Sequence, residues 1–82
     1  MEVFNLDSSH IVVCETKNTR NGFKHVATLC RDGYNIATAK ANYFNRTWES
    51  FTYETVLKKI VEDNFAGNKK QKYLTLISER GI

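Results

Sequence analysis

The chain contains no proline, four glycines, two cysteines, one tryptophan and one methionine among its 82 residues. The lack of proline rules out proline-rich linkers, and the chain shows no repeat, low-complexity stretch or composition break, so one domain spanning residues 1–82 is expected. No apolar run approaches the roughly 20 residues that cross a bilayer, so no membrane partner is expected. The start, Met1-Glu2-Val3-Phe4-Asn5-Leu6-Asp7, has neither a basic stretch nor an apolar core. No secretory signal is read there, and a cytoplasmic location is expected. In that compartment Cys14 and Cys30 are expected to stay reduced, and the glycosylation-like triplet Asn45-Arg46-Thr47 carries no meaning.

Catalytic patterns are equally scarce. There is no nucleophile elbow, no glycine loop to cradle phosphate and no helical zinc-binding His pair. His10, Cys14, His25 and Cys30 are the available soft ligands, but they are not closely spaced pairs at turns, and strand alternation sends His25 and Cys30 to opposite faces. Neither a metal site nor any other cofactor is expected. His25 reads as a packed histidine with a hydrogen-bond partner, and the chain as a non-enzyme.

What is present defines an architecture. His10 to Thr16 is rich in β-branched residues and reads as a strand, Phe23 to Arg31 as a second and Tyr34 to Tyr43 as a third. Asn21-Gly22 and Asp32-Gly33 are hairpin dipeptides, because both central residues of a type I′ turn need positive φ. Two-residue loops there set Arg31 opposite Tyr34, Leu29 opposite Ile36, Ala27 opposite Thr38, His25 opposite Lys40, Cys14 opposite Leu29 and Val13 opposite Cys30. One face then carries Val12, Cys14, Phe23, His25, Ala27, Leu29, Tyr34, Ile36 and Thr38. The other carries Ile11, Val13, Glu15, Lys24, Val26, Thr28, Cys30, Asn35, Ala37, Ala39 and Ala41. Burial of bulk favours the first face as core, whereas the small residues of the second would admit a close helix.

Tyr53, Val56, Leu57, Ile60 and Val61 recur at helical spacing, with Ser50 or Thr52 as N-cap and Glu54 at the positive end of the dipole. Lys69 to Arg80 sets Tyr73, Leu74 and Ile77 on one helical face, although Tyr73-Leu74-Thr75-Leu76-Ile77 also fits a strand. The expected fold is α+β: a three-stranded antiparallel sheet with two tight hairpins, packed by a main helix and a short second one, in the order β-β-β-α-α.

Charge and aromatics are unevenly spread. Between Thr16 and Trp48, Lys17, Arg20, Lys24, Arg31, Lys40 and Arg46 face Asp32 alone, and Lys69-Lys70-Gln71-Lys72 forms a second basic run. Basic hairpins interleaved with aromatics suit a polyanion, with Arg20, Asn21, Lys24, Arg31, Lys40 and Arg46 as candidate nucleic-acid contacts. Half of the ten aromatic residues lie between Tyr43 and Tyr53. Tyr43, Phe44 and Trp48 are therefore candidates for gripping a protein, with a lid over the helix–sheet core as the competing role for Trp48.

The stretch Thr19-Arg20-Asn21-Gly22-Phe23-Lys24-His25-Val26-Ala27-Thr28-Leu29, followed by Tyr43-Phe44-Asn45-Arg46-Thr47-Trp48-Glu49, resembles small proteins of unknown function from phages and mobile elements of Gram-positive bacteria. The Asn-Arg-Thr-Trp-Glu string is the distinctive part. The resemblance implies a mobile-element setting in a bacterial host and no catalytic residues. The β-β-β-α order is also similar to the sheet-plus-helix DNA-binding domains of some phage and transposon integrases, a likeness of topology only. Together these point to a non-enzymatic accessory protein that binds nucleic acid through its basic hairpins. The alternative is a host or phage protein partner, for example in a defence system, held by the aromatic segment 43–53.

Overall fold

A computed structural model describes residues 1–44 and 48–80, with the side chains of Trp48, Glu49 and Arg80 outside the described set. The elements are β1 (Glu2–Asn5), β2 (His10–Thr19), β3 (Gly22–Arg31), β4 (Tyr34–Tyr43), a single 3-10 turn (Trp48–Phe51), α1 (Glu54–Asn64) and α2 (Gly67–Arg80). The four strands form one antiparallel sheet in sequential order. The fold is thus α+β with two helices, and the expected three-stranded sheet is corrected to four strands.

The additional strand is β1, which pairs Val3 with Val13 and Phe4 with Val12. Its four residues are too few to show alternation, but Asp7-Ser8-Ser9 between two apolar runs is turn chemistry. The Asp7 carboxylate accepts from the backbone N–H groups of Ser9 and His10, both at 2.8 Å, and the Leu6 N–H donates to the His10 carbonyl. That turn folds β1 back and delivers Phe4 and Leu6 to the core.

Both expected hairpins form, with corrected registers. Thr19 pairs with Gly22, so Arg20 and Asn21, not Asn21 and Gly22, are the loop, and Cys14 faces Ala27 while Val13 faces Thr28. The offset is two residues, which leaves every side chain on its expected face. Gly22 serves a different need from the turn: a Cβ there would sit 2.1 Å from the Tyr43 carbonyl oxygen, so its bareness lets the end of β4 close on β3. Asp32 and Gly33 do take positive φ, 49° and 86°, as a type I′ turn requires.

In the second hairpin Arg31 faces Tyr34 and Cys30 faces Asn35, but Leu29 then pairs with Ala37, not Ile36. One extra residue has entered β4 as a bulge. Ala27 accordingly faces Ala39, His25 faces Ala41, and β4 beyond the bulge is turned over relative to expectation. Ile36 and Tyr34 are 52% and 75% exposed, while Ala39 is buried and Ala37 and Ala41 pack on the core. The core face therefore takes the bulk of β2 and β3 (Val12, Cys14, Ala27, Leu29) and the alanines of β4, under which α1 approaches closely.

α1 lays Val56, Leu57, Ile60 and Val61 on that face, the stripe expected from its spacing. The N-cap position falls at Tyr53, not at Ser50 or Thr52. Tyr53 stands at the cap without a side-chain cap bond, and its carbonyl accepts from the Leu57 N–H at 2.9 Å. Residues 67–80 are helical, so the second helix, expected to be the short one, is at 14 residues longer than α1 at 11, and it packs on α1 with Tyr73 and Ile77 buried. Both helices share one face of the sheet. Among the described residues no element covers the other.

Candidate functional site

Alternation puts Lys17, Lys24, Lys40 and Asn42 on the uncovered face. Lys17 stands directly opposite Lys24, which is opposite Asn42, and Lys40 is opposite Val26 one step diagonally from Lys24. Like charges facing each other across an antiparallel pair oppose folding. Glu15, opposite Val26, is the acid on the same face nearby. Lys59 from α1 reaches the free edge of β4 and donates to the Lys40 carbonyl at 3.2 Å, adding a cation beside the patch. Arg20 and Asn21 project from the β2–β3 turn at this end of the sheet and are exposed.

Of the basic residues marked in the sequence, the structure thus brings Arg20, Asn21, Lys24 and Lys40 together. Arg31 lies at the other end of β3, roughly 23 Å from Lys24 at about 3.3 Å per residue, and its Nε sits 3.9 Å from Asp32 Oδ2. Arg46 is outside the described residues. Lys17 and Lys59 were not singled out in the sequence. Lys17 shares the parity of Lys24, Glu15 and Val13 and was legible from alternation, whereas Lys59 depends on how α1 lies across β4.

The opposite face at the same end is a cleft of about 200 Å³ lined by Thr16, Asn18, Phe23, His25, Ser50, Phe51 and Tyr53. The helices stop short of it, and the 3-10 turn closes one side. His25 is buried at its base, with ring centroids of Phe23, Tyr43 and Tyr53 at 5.4, 5.2 and 4.7 Å. Its Nε2 is 2.7 Å from the Ser50 carbonyl, which only accepts, so Nε2 carries the proton. On the neutral ring Nδ1 then accepts from the Thr16 hydroxyl at 2.9 Å, and Thr16 in turn accepts from the Tyr53 hydroxyl at 2.9 Å. The chain of donors fixes the tautomer and leaves the Tyr53 oxygen as an acceptor toward the cleft.

Of the aromatic candidates, Tyr43 is half-buried, stacked on Phe23 at 5.4 Å, with a buried hydroxyl that finds no hydrogen-bond partner among the described residues. Phe44 is 69% exposed. The Trp48 side chain, and with it both of its expected roles, lies outside the described residues.

A second polar cluster joins the β1–β2 turn to α2. Tyr73, almost fully buried, donates to Asp7, and His10 Nδ1 lies 3.0 Å from both Asp7 oxygens. Phe65 meets His10 and Tyr73 edge-on. The Tyr73 hydrogen bond, aided by the N–H of Ser9 and by His10, holds the Asp7 carboxyl well below its ordinary range against the opposing effect of burial. The same bond, with burial, pushes Tyr73 up to about 12. Burial, with the Glu2 carboxylate, pushes the Cys14 thiol up to about 12, which makes it a poor nucleophile. Cys14 and Cys30 are both free and lie on opposite faces of the sheet. Among the described residues no three His, Cys, Asp or Glu side chains are grouped to hold a metal, and no helix is long and apolar enough to cross a membrane.

No family model matches the chain, and neither a curated protein nor a solved structure matches it.

Proposed function

We propose that this protein is a non-enzymatic accessory protein of phage or mobile-element type, acting in the cytoplasm of a bacterial host, that binds nucleic acid on the uncovered end of its sheet. The observation that carries the reading is the facing pair Lys17 and Lys24, with Lys40 beside it, on a sheet face that no helix covers among the described residues. Three cations held at strand spacing on a flat surface match a phosphate backbone, and their mutual repulsion is relieved when a polyanion sits across them. The Asn-Arg-Thr-Trp-Glu resemblance supports the mobile-element setting. The second reading, a protein partner gripped by the aromatic segment, draws on the exposure of Phe44 and Phe51, 69% and 67%.

Fluorescence anisotropy with duplex DNA, single-stranded DNA and RNA tests the first reading. Affinity should fall steeply with salt, because phosphate contacts release counterions. Lys17→Gln, Lys24→Gln and Lys40→Gln together should weaken binding and flatten the log–log salt slope by roughly 2–3. Arg31→Gln, at the far end, should change little. An absence of binding to all three nucleic acids at low salt sinks the proposal and leaves the protein partner.

A further inference from the structure

We infer that the His25 cleft takes a single unpaired nucleobase, so that the nucleic acid held by the lysine face is single-stranded; the inference rests on the reading given under Proposed function. The cleft and the lysines occupy the same end of the sheet on opposite sides. Along β2 they alternate as Thr16, Lys17, Asn18, and in β3 as Phe23, Lys24, His25, so each strand presents cleft residues to one face and cations to the other.

The two faces communicate across an open edge. β1 pairs with β2 only from Ile11 to Cys14, so among the described residues the outer edge of Glu15–Thr19 is unpaired in the sheet, and Thr16, Lys17 and Asn18 are exposed there. A strand whose phosphates lie on Lys24, Lys17 and Arg20 passes around that edge and turns one base inward. A duplex has no base free to do so.

The cleft matches a base in size and chemistry. Its volume of about 200 Å³ is below the roughly 300–1,000 Å³ of sites for drug-sized ligands, which suits one planar ring system and little more. Phe51, a large apolar side chain left 67% exposed, lines it and offers a stacking face, and Phe23 and Tyr53 supply aromatic wall. The polar groups are those that read a base edge: the Asn18 amide with two donors and an acceptor, and the Tyr53 oxygen, left as an acceptor by the order of the His25–Thr16–Tyr53 chain. His25 is the post on which that chain is built and does not itself need to meet the base.

The test uses the full chain with three probes: single-stranded DNA of about twelve nucleotides, the same length with abasic positions, and the matching duplex. The base-bearing strand should bind more tightly than the abasic one, and Phe51→Ala should lower its affinity roughly five- to hundred-fold while leaving the abasic strand and the duplex unchanged. Asn18→Ala should act in the same direction, and the His25 ring-proton resonances should shift on adding the base-bearing strand only. Equal affinity for base-bearing and abasic strands, or retention of single-strand affinity by both variants, overturns the cleft assignment while the lysine face stands. Loss of binding for every probe in the unmodified protein overturns both.

Discussion

Asp7 ties the β1–β2 turn to α2 through one carboxylate, which meets the backbone N–H groups of Ser9 and His10, the His10 ring, and Tyr73 of α2. Its folded pKa lies below its ordinary value of 3.8, so its contribution to stability is complete above that value and is lost as the pH falls through the folded pKa. Tyr73 moves the other way: its contribution is complete below its ordinary value of 10 and fades as the pH rises toward 12. The two shifts describe one hydrogen bond and count once. Asp7→Asn keeps an oxygen for the Ser9 and His10 N–H groups but removes the charge facing Tyr73. It and Tyr73→Phe should each lower stability at neutral pH by about 1.5–3 kcal/mol, the range for a bond to a charged group, and the double variant should lose little more than either alone. Asp7→Asn should also flatten the acid limb of stability against pH. Denaturant midpoints measured from acid to neutral pH check both. Single variants that keep the parent midpoint and acid limb would show that the clasp adds nothing.

At the scale of elements, α1 was the most legible part of the chain because its information is local: Val56, Leu57, Ile60 and Val61 share a face whatever they pack against. Leu57 is fully buried, so Leu57→Ala should cost about 2–5 kcal/mol. Lys58 makes only a half-exposed bridge to Glu54 at 2.8 Å, and Lys58→Ala should cost less than about 0.5 kcal/mol. Comparable shifts of the urea midpoint would contradict the packing of this helix. Strands were less legible because their pairing is not local. The hairpin dipeptides gave the second turn and came within one residue of the first, yet neither announces the bulge at Ile36. That bulge reconciles two demands which alternation alone sets against each other, burying Leu29 and seating α1 on Ala37, Ala39 and Ala41. β1 went unread for a related reason, since four residues form a strand only once the Asp7 turn has brought β2 alongside. The cleft shared this fate: His25 read correctly as a packed histidine, but its neighbours Thr16, Ser50 and Tyr53 are set around it by tertiary structure.

At the scale of the whole molecule, one side of the sheet is devoted to holding the fold and the other is left bare with its cations in register. If Lys17, Lys24 and Lys40 served only to keep the sheet soluble, an arrangement of mixed sign would do it without repulsion. Val26 supplies the competing structural role: it lies on the bare face between Glu15 and Lys40 and is nonetheless only 9% exposed, so neighbouring side chains cover it, and long stems are suited to that. Lys→Gln at all three positions separates the roles, because glutamine keeps much of the stem and removes the charge. If the charges are there for a partner, the triple variant should be at least as stable as the parent by urea denaturation in low salt. Added salt should then stabilise the parent more than the variant, because only the parent has repulsion to screen. A triple variant less stable than the parent by more than about 1 kcal/mol, beyond what exposed polar substitutions ordinarily cost, would mean that the ammonium groups hold the sheet itself together. The bare face would then be part of the scaffold, and the search for a partner would move to the aromatic segment.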